Sequence, residues 1–133
     1  MRSLTFPYVK LGTFYLPIVP VTIFGRSSSF KTEAYVDSGA FYSIFRSEML
    51  ESLQLRVEHG IPKKFTAADG KLIAARLFRL PIQLGDVRIR ALIAFSDELH
   101  VGFNLLGRQT VFNAFDEVAF NERKRNVVFR GGE

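Results

Sequence analysis

From Glu33 to Ala40 the chain reads Glu-Ala-Tyr-Val-Asp-Ser-Gly-Ala, setting an acid, a hydroxyl and a glycine in succession at the end of an apolar strand. A carboxylate in such a place can activate a water molecule. For that it must sit on a rigid turn, held in plane by backbone donors, with a second carboxylate opposite. Asp37 supplies the acid, Ser38 a hydroxyl that fixes the turn, and Gly39 close approach of the backbone. Asp, Ser and Gly are also ordinary turn residues, so the tripeptide acquires chemical meaning only from its context.

That context begins with composition. At 133 residues, with 47% hydrophobic residues and 14 Phe, the chain has the size and apolar content of one domain, 1–133, around one core. The absence of Cys excludes a disulfide scaffold or thiolate zinc site, and His59 and His100 are too few and too separated for an imidazole metal cluster or a Ser-His pair. Catalysis is therefore expected to rest on carboxylates, with no metal and no organic cofactor. The net charge of +5 raises the question of an acidic partner. Its cations are spread, however: Arg26 and Lys31 flank a serine-rich turn, Arg88 and Arg90 alternate along a strand, and Arg123, Lys124 and Arg125 fall at a hairpin tip. They read as solvated turn and edge charges, so no nucleic acid is expected as a partner. The run from Leu11 to Gly25 is uncharged, but Pro17 and Pro20 argue against a spanning helix and Lys10 interrupts it. It reads as strands of a soluble, cytoplasmic protein with no membrane partner.

The elements that must position Asp37 follow from periodicity and turn chemistry. Val19 to Phe24 and Phe30 to Val36 form a hairpin across Gly25–Ser29 that delivers the acid. Ser43 to Leu55 changes period and predicts a short helix capped by Ser43 or Ser47. Lys64 to Ala67 and Leu72 to Leu80 predict a second hairpin through Ala68, Asp69, Gly70 and Lys71, with Asp-Gly as a two-residue turn signal. Leu80 to Leu84 pairs with Val87 to Phe95 across Gly85-Asp86, with Arg88 and Arg90 outward. Gly107 to Phe115 predicts a helix, and Glu117 to Phe120 with Asn126 to Phe129 a closing hairpin. A gapped internal echo relates Ile23-Phe24-Gly25, the strand to Asp37 and Ile44-Phe45-Arg46 to Gln83-Leu84-Gly85, the strand to Ser96 and Leu105-Leu106-Gly107-Arg108.

Three segments then stand in order: Val-Asp-Ser-Gly-Ala at 36–40, Thr-Ala-Ala-Asp-Gly-Lys at 66–71 and Asn-Leu-Leu-Gly-Arg at 104–108. In order and spacing the chain resembles the retropepsin-like aspartic peptidases, the single-domain family of the retroviral proteases and their cellular relatives, over roughly residues 15–130. The resemblance implies an all-β fold with one or two short helices, a half-barrel closed by homodimerisation. Asp37 would be catalytic, with Ser38, Gly39 and Ala40 supporting its loop. Ala67, Ala68, Asp69, Gly70 and Lys71 would form a mobile flap over an extended peptide substrate. Leu105, Leu106, Gly107 and Arg108 would pack under the active-site loop. Ser43 also fits cellular members, near the start of the helix that follows.

Two carboxyls about 3 Å apart share one proton, one member taking a proton from water while the other donates to the scissile carbonyl. Only one Asp-Ser-Gly is present, so a second Asp37 is expected from a second, symmetry-related copy of the chain. One departure stands out: retroviral members place an acid directly after the Asp-Ser/Thr-Gly-Ala turn, to bind substrate backbone and pair with the following Arg, where this chain has Phe41. The expectation is an aspartic endopeptidase, with a catalytically weak or inactive dimerisation or peptide-binding module as the alternative.

Overall fold

The computed structural model describes residues 2–66, 69–99 and 102–132. Its strands are β1 (Ser3–Pro7), β2 (Val9–Leu11), β3 (Phe14–Leu16), β4 (Ile18–Phe24), β5 (Ser29–Val36), β6 (Ser43–Arg46), β7 (Ile61–Thr66), β8 (Leu72–Leu84), β9 (Val87–Ser96), β10 (Asn104–Leu106), β11 (Glu117–Asn121) and β12 (Asn126–Arg130). One short helix, α1 (Met49–Ser52), and two 3₁₀ turns complete the mainly β architecture. No helix among the described residues is long and apolar enough to cross a membrane.

Seven strands form the main sheet in the order β4-β5-β10-β6-β9-β8-β7, and β4 also pairs with β8, which curls the sheet back on itself. Alternation dictates the outer parts: Val87 to Ala91 expose Arg88 and Arg90 while Val87, Ile89 and Ala91 turn inward. From Ala91 the strand becomes almost continuously buried, because it now lies between β6 and β8 with both faces covered. Prolines sit where no second ladder needs their missing N–H: Pro81 pairs with β9 alone, and Pro62 lies on the edge strand β7. A separate three-stranded sheet, β1-β12-β11, joins the two ends of the chain and buries Val127 and Phe129 in the same core as Phe45 and Phe95.

The pairings carry an internal two-fold relation. β5 runs parallel to β10, β9 runs parallel to β6, and β6 meets β10 antiparallel at Ile44 and Leu105. Exchanging β4, β5 and β6 for β8, β9 and β10 leaves these pairings unchanged, which provides a structural counterpart to the sequence echo.

Three expectations need correction. Ser43 to Arg46 is strand, and only Met49–Ser52 is helical. Ser43, Ile44 and Phe45 are all buried between β10 and β9, so backbone pairing on both sides wins over the helical spacing of the apolar residues. Neither serine caps the helix, whose N-cap is Glu48. Gly107 to Phe115 also forms no α-helix. The Arg108 and Gln109 amides donate to Ala40 and Phe41 carbonyls, and the chain then turns through wide bonds from Phe112 to Gly107 and from Asn113 to Arg108. Val111 and Phe115 are still buried, as the spacing suggested. Finally, the second and third hairpins share a single continuous strand, β8, without a break at Leu80.

Candidate active site

β5 ends at Val36, whose N–H donates to the Pro17 carbonyl at 2.8 Å, and the Asp37 N–H donates to the Leu106 carbonyl at 2.9 Å. The acid thus leaves the sheet anchored on both flanks, to the start of β4 and to β10. One Asp37 carboxylate oxygen accepts the Gly39 N–H at 2.8 Å, and the Ala40 N–H closes the turn on the Asp37 carbonyl at 3.2 Å. A Cβ on Gly39 would stand 3.2 Å from that carboxylate oxygen, a crowding only glycine avoids. Asp37 is half-buried. Ser38 is exposed, and its hydroxyl makes no hydrogen bond among the described residues.

The turn rests on the segment after β10. Arg108 and Gln109 amides reach the Ala40 and Phe41 carbonyls at 3.0 and 2.7 Å. A Cβ on Gly107 would come within 2.5 Å of the Tyr42 carbonyl oxygen and 2.8 Å of that of Ala40, so the loop crosses directly over a residue without a side chain. The Gly107 N–H is taken by the Ser43 hydroxyl at 2.9 Å. Asn104, only 8% exposed, accepts the Arg46 N–H and donates to the Glu33 carbonyl, tying β10 to β6 and β5. The structure therefore brings residues 37–40 together with Leu105, Leu106, Gly107 and Arg108.

Above this floor opens a groove of about 750 Å³, shared by Asp37, Gly39 and Ala40 with the β7–β8 hairpin. The Tyr42 and Phe65 rings, 5.5 Å apart, connect loop and hairpin. Asp69 and Lys71 line the same groove, and the Asp69 carboxylate accepts the Lys71 N–H at 3.0 Å. The strands' last described pair is Thr66 with Leu72, and Gly70 takes φ +86° between them. Ala67, Ala68 and His100 lie outside the described residues.

Several groove residues carried no signal in the sequence. Tyr42, Ile44, Leu72, Ile73 and Leu99 form its apolar lining, and Glu98 adds a carboxylate that accepts the Ala74 N–H at 2.8 Å. Phe41 is 58% exposed, and Phe65 faces the groove. Asp69 and Glu98 share the groove with Asp37, but neither stands on an Asp-Ser-Gly turn. Arg108 is exposed and forms no ion pair among the described residues. It borders a second concavity of about 690 Å³ on the outer side of the turn, with Ser38, Phe41 and Phe120.

An acid on a hydrogen-bonded turn thus lines an apolar groove beside a β-hairpin. The sequence model of the family described as "Aspartyl protease" matches residues 19–109, from β4 through the acid turn and hairpin to the segment beneath the loop. The chain belongs to this aspartyl protease family, which is of the retropepsin-like type. No curated protein matches the chain.

Proposed function

We propose that the protein is an aspartic endopeptidase active as a homodimer, in which Asp37 from each of two copies holds and activates the attacking water. The observation that carries this reading is the Asp37 carboxylate, fixed by the Gly39 N–H at 2.8 Å and open to a groove of about 750 Å³. In the paired state one carboxylate accepts a proton from water as it attacks the scissile carbonyl. The other, protonated, donates to the carbonyl oxygen. Gly39 shapes the turn, Ala40 closes it, and the residues from Leu105 to Arg108 support it from below, while Ser38 leaves its hydroxyl open rather than fixing the turn. An extended protein segment in the groove would add a strand under the β7–β8 hairpin, which acts as the flap. Membership of an aspartyl protease family and the open, unbonded Ser38 hydroxyl beside the acid both support the pairing.

Replacing Asp37 by Asn tests the assignment directly. The wild type should cleave an unstructured protein such as casein, with inhibition by a statine-type transition-state mimic and a bell-shaped rate profile on the acidic side of neutrality. The variant should lose cleavage. Undiminished cleavage by pure Asp37→Asn protein removes Asp37 from catalysis, and peptide binding without cleavage by the wild type assigns the fold to a binding module.

A further inference from the structure

The short hairpin before β4 presents an apolar face to solvent. In its register Val9 stands opposite Leu16, Lys10 opposite Tyr15 and Leu11 opposite Phe14. Opposed residues share a face and successive residues alternate, so Val9, Leu11, Phe14 and Leu16 form one face while Lys10 and Tyr15 form the other. On the other face two cations lie over the Tyr15 ring: the Arg125 guanidinium is 3.7 Å from its centre and the Lys10 ammonium 5.9 Å. The hairpin base is also tied down. Tyr8 donates its N–H to the Arg125 carbonyl at 2.8 Å and its hydroxyl to Glu122 at 2.5 Å. On the apolar face, Leu11 is 52% and Phe14 70% exposed. Among the described residues, β2 and β3 pair with each other and with no further strand. A braced hairpin with an uncovered Phe and Leu is a contact surface, because such a patch gains by leaving water.

Its position identifies the occupant. The Val36 N–H binds the Pro17 carbonyl and Ile18 pairs with Tyr35, so β3 ends level with the Asp37 turn, on its β4 flank. Phe41 stands on the opposite flank, where its carbonyl accepts the Gln109 N–H after β10. The base of the hairpin and the Phe41 backbone therefore lie on opposite flanks of the acid turn. A two-fold axis between paired Asp37 carboxylates turns one flank of a copy toward the opposite flank of its mate. We infer that the β2–β3 hairpin is a dimerisation arm: its Leu11–Phe14 face covers the partner subunit's Phe41, reciprocally, and so completes the active site. This rests on the homodimer reading and deepens it by naming the contact. An apolar latch then occupies the place where retroviral relatives carry an acid.

The cysteine-free sequence makes the test specific. Phe14→Cys and Phe41→Cys proteins, mixed and treated with a short bis-maleimide, should yield a covalent dimer well above that from either protein alone. Phe14→Ser should raise the dimer dissociation constant by about tenfold or more, the scale of uncovering one large apolar side chain per copy. Its peptidase activity should fall on dilution and return at high protein concentration, a dependence that a defect in chemistry would not produce. A cleaving dimer whose mixed cysteine variants cross-link no better than each alone overturns the arm while leaving the peptidase reading intact. A strict monomer without cleavage removes both. Binding to anionic vesicles that Phe14→Ser abolishes, with sedimentation unchanged, assigns the face to lipid and overturns the arm.

Discussion

The Ser43 hydroxyl accepts the Gly107 N–H at 2.9 Å in a position with no solvent exposure. This one bond joins the start of β6 to the residue beneath the acid turn, so the strand after the loop is tied to the floor under it. Asn104 secures the same floor one strand-length away, through Arg46 and Glu33.

Ser43→Ala leaves that buried N–H without an acceptor. The expected loss is about 1–3 kcal/mol of folding stability, the cost of an unsatisfied buried donor. Urea denaturation checks it: the midpoint should fall with little change in slope. A midpoint equal to wild type would show that the bond contributes nothing.

Gly107→Ala meets backbone rather than flexible side chains, because the added carbon lies within 2.5–2.8 Å of Tyr42 and Ala40 carbonyl atoms. The loop must lift to admit it. A stability loss of about 3 kcal/mol is expected, together with loss of casein cleavage, since Asp37 rides on that loop. Gly70→Ala is the control. Its position has φ +86° and nothing within 4 Å, so the cost is confined to backbone strain of about 1 kcal/mol.

Tyr8 provides a pH dependence at the alkaline end. Burial, followed by its hydrogen bond to the Glu122 carboxylate, pushes its hydroxyl well above the ordinary tyrosine value of 10.0. The folded protein holds this proton more tightly than the unfolded chain does. Its contribution to stability is therefore complete below pH 10.0 and is lost as pH rises beyond that, by at most about 1.4 kcal/mol per pH unit. Tyr8→Phe should be less stable by about 1 kcal/mol near neutrality and decline less steeply in alkali. Parallel wild-type and variant stability curves between pH 9 and 11, measured by chemical denaturation, would refute the linkage.

The hairpins β4–β5, β7–β8, β8–β9 and β11–β12 were legible because each is written locally, whereas the β2–β3 hairpin was not foreseen. Alternating burial along Val87 to Ala91, with Gly85-Asp86 before it, is enough to set β8 against β9. β6 was not legible in this way. Its partners lie in β9 and β10, far along the chain, and a short apolar run reads as helix or strand until those partners cover it. The same holds for Gly107 to Phe115, whose apolar spacing is helical but whose first amides are claimed by the carbonyls of the acid loop. Within the site, Asp37, Gly39 and Gly107 stood out because their chemistry depends on residue type. Tyr42, Leu99 and Glu98 did not, since ordinary side chains become groove walls only when the sheet curls.

By itself, the order of residues determined the family and singled out the Asp37 turn, because an Asp-Ser-Gly-Ala turn and a Leu-Leu-Gly-Arg segment are local chemical statements. Only the tertiary structure decided that Ser43 begins a strand, that Gly107 lies under Tyr42, and that Phe14 and Phe41 are left exposed. Those relationships come from long-range β pairing, which no short window of sequence contains.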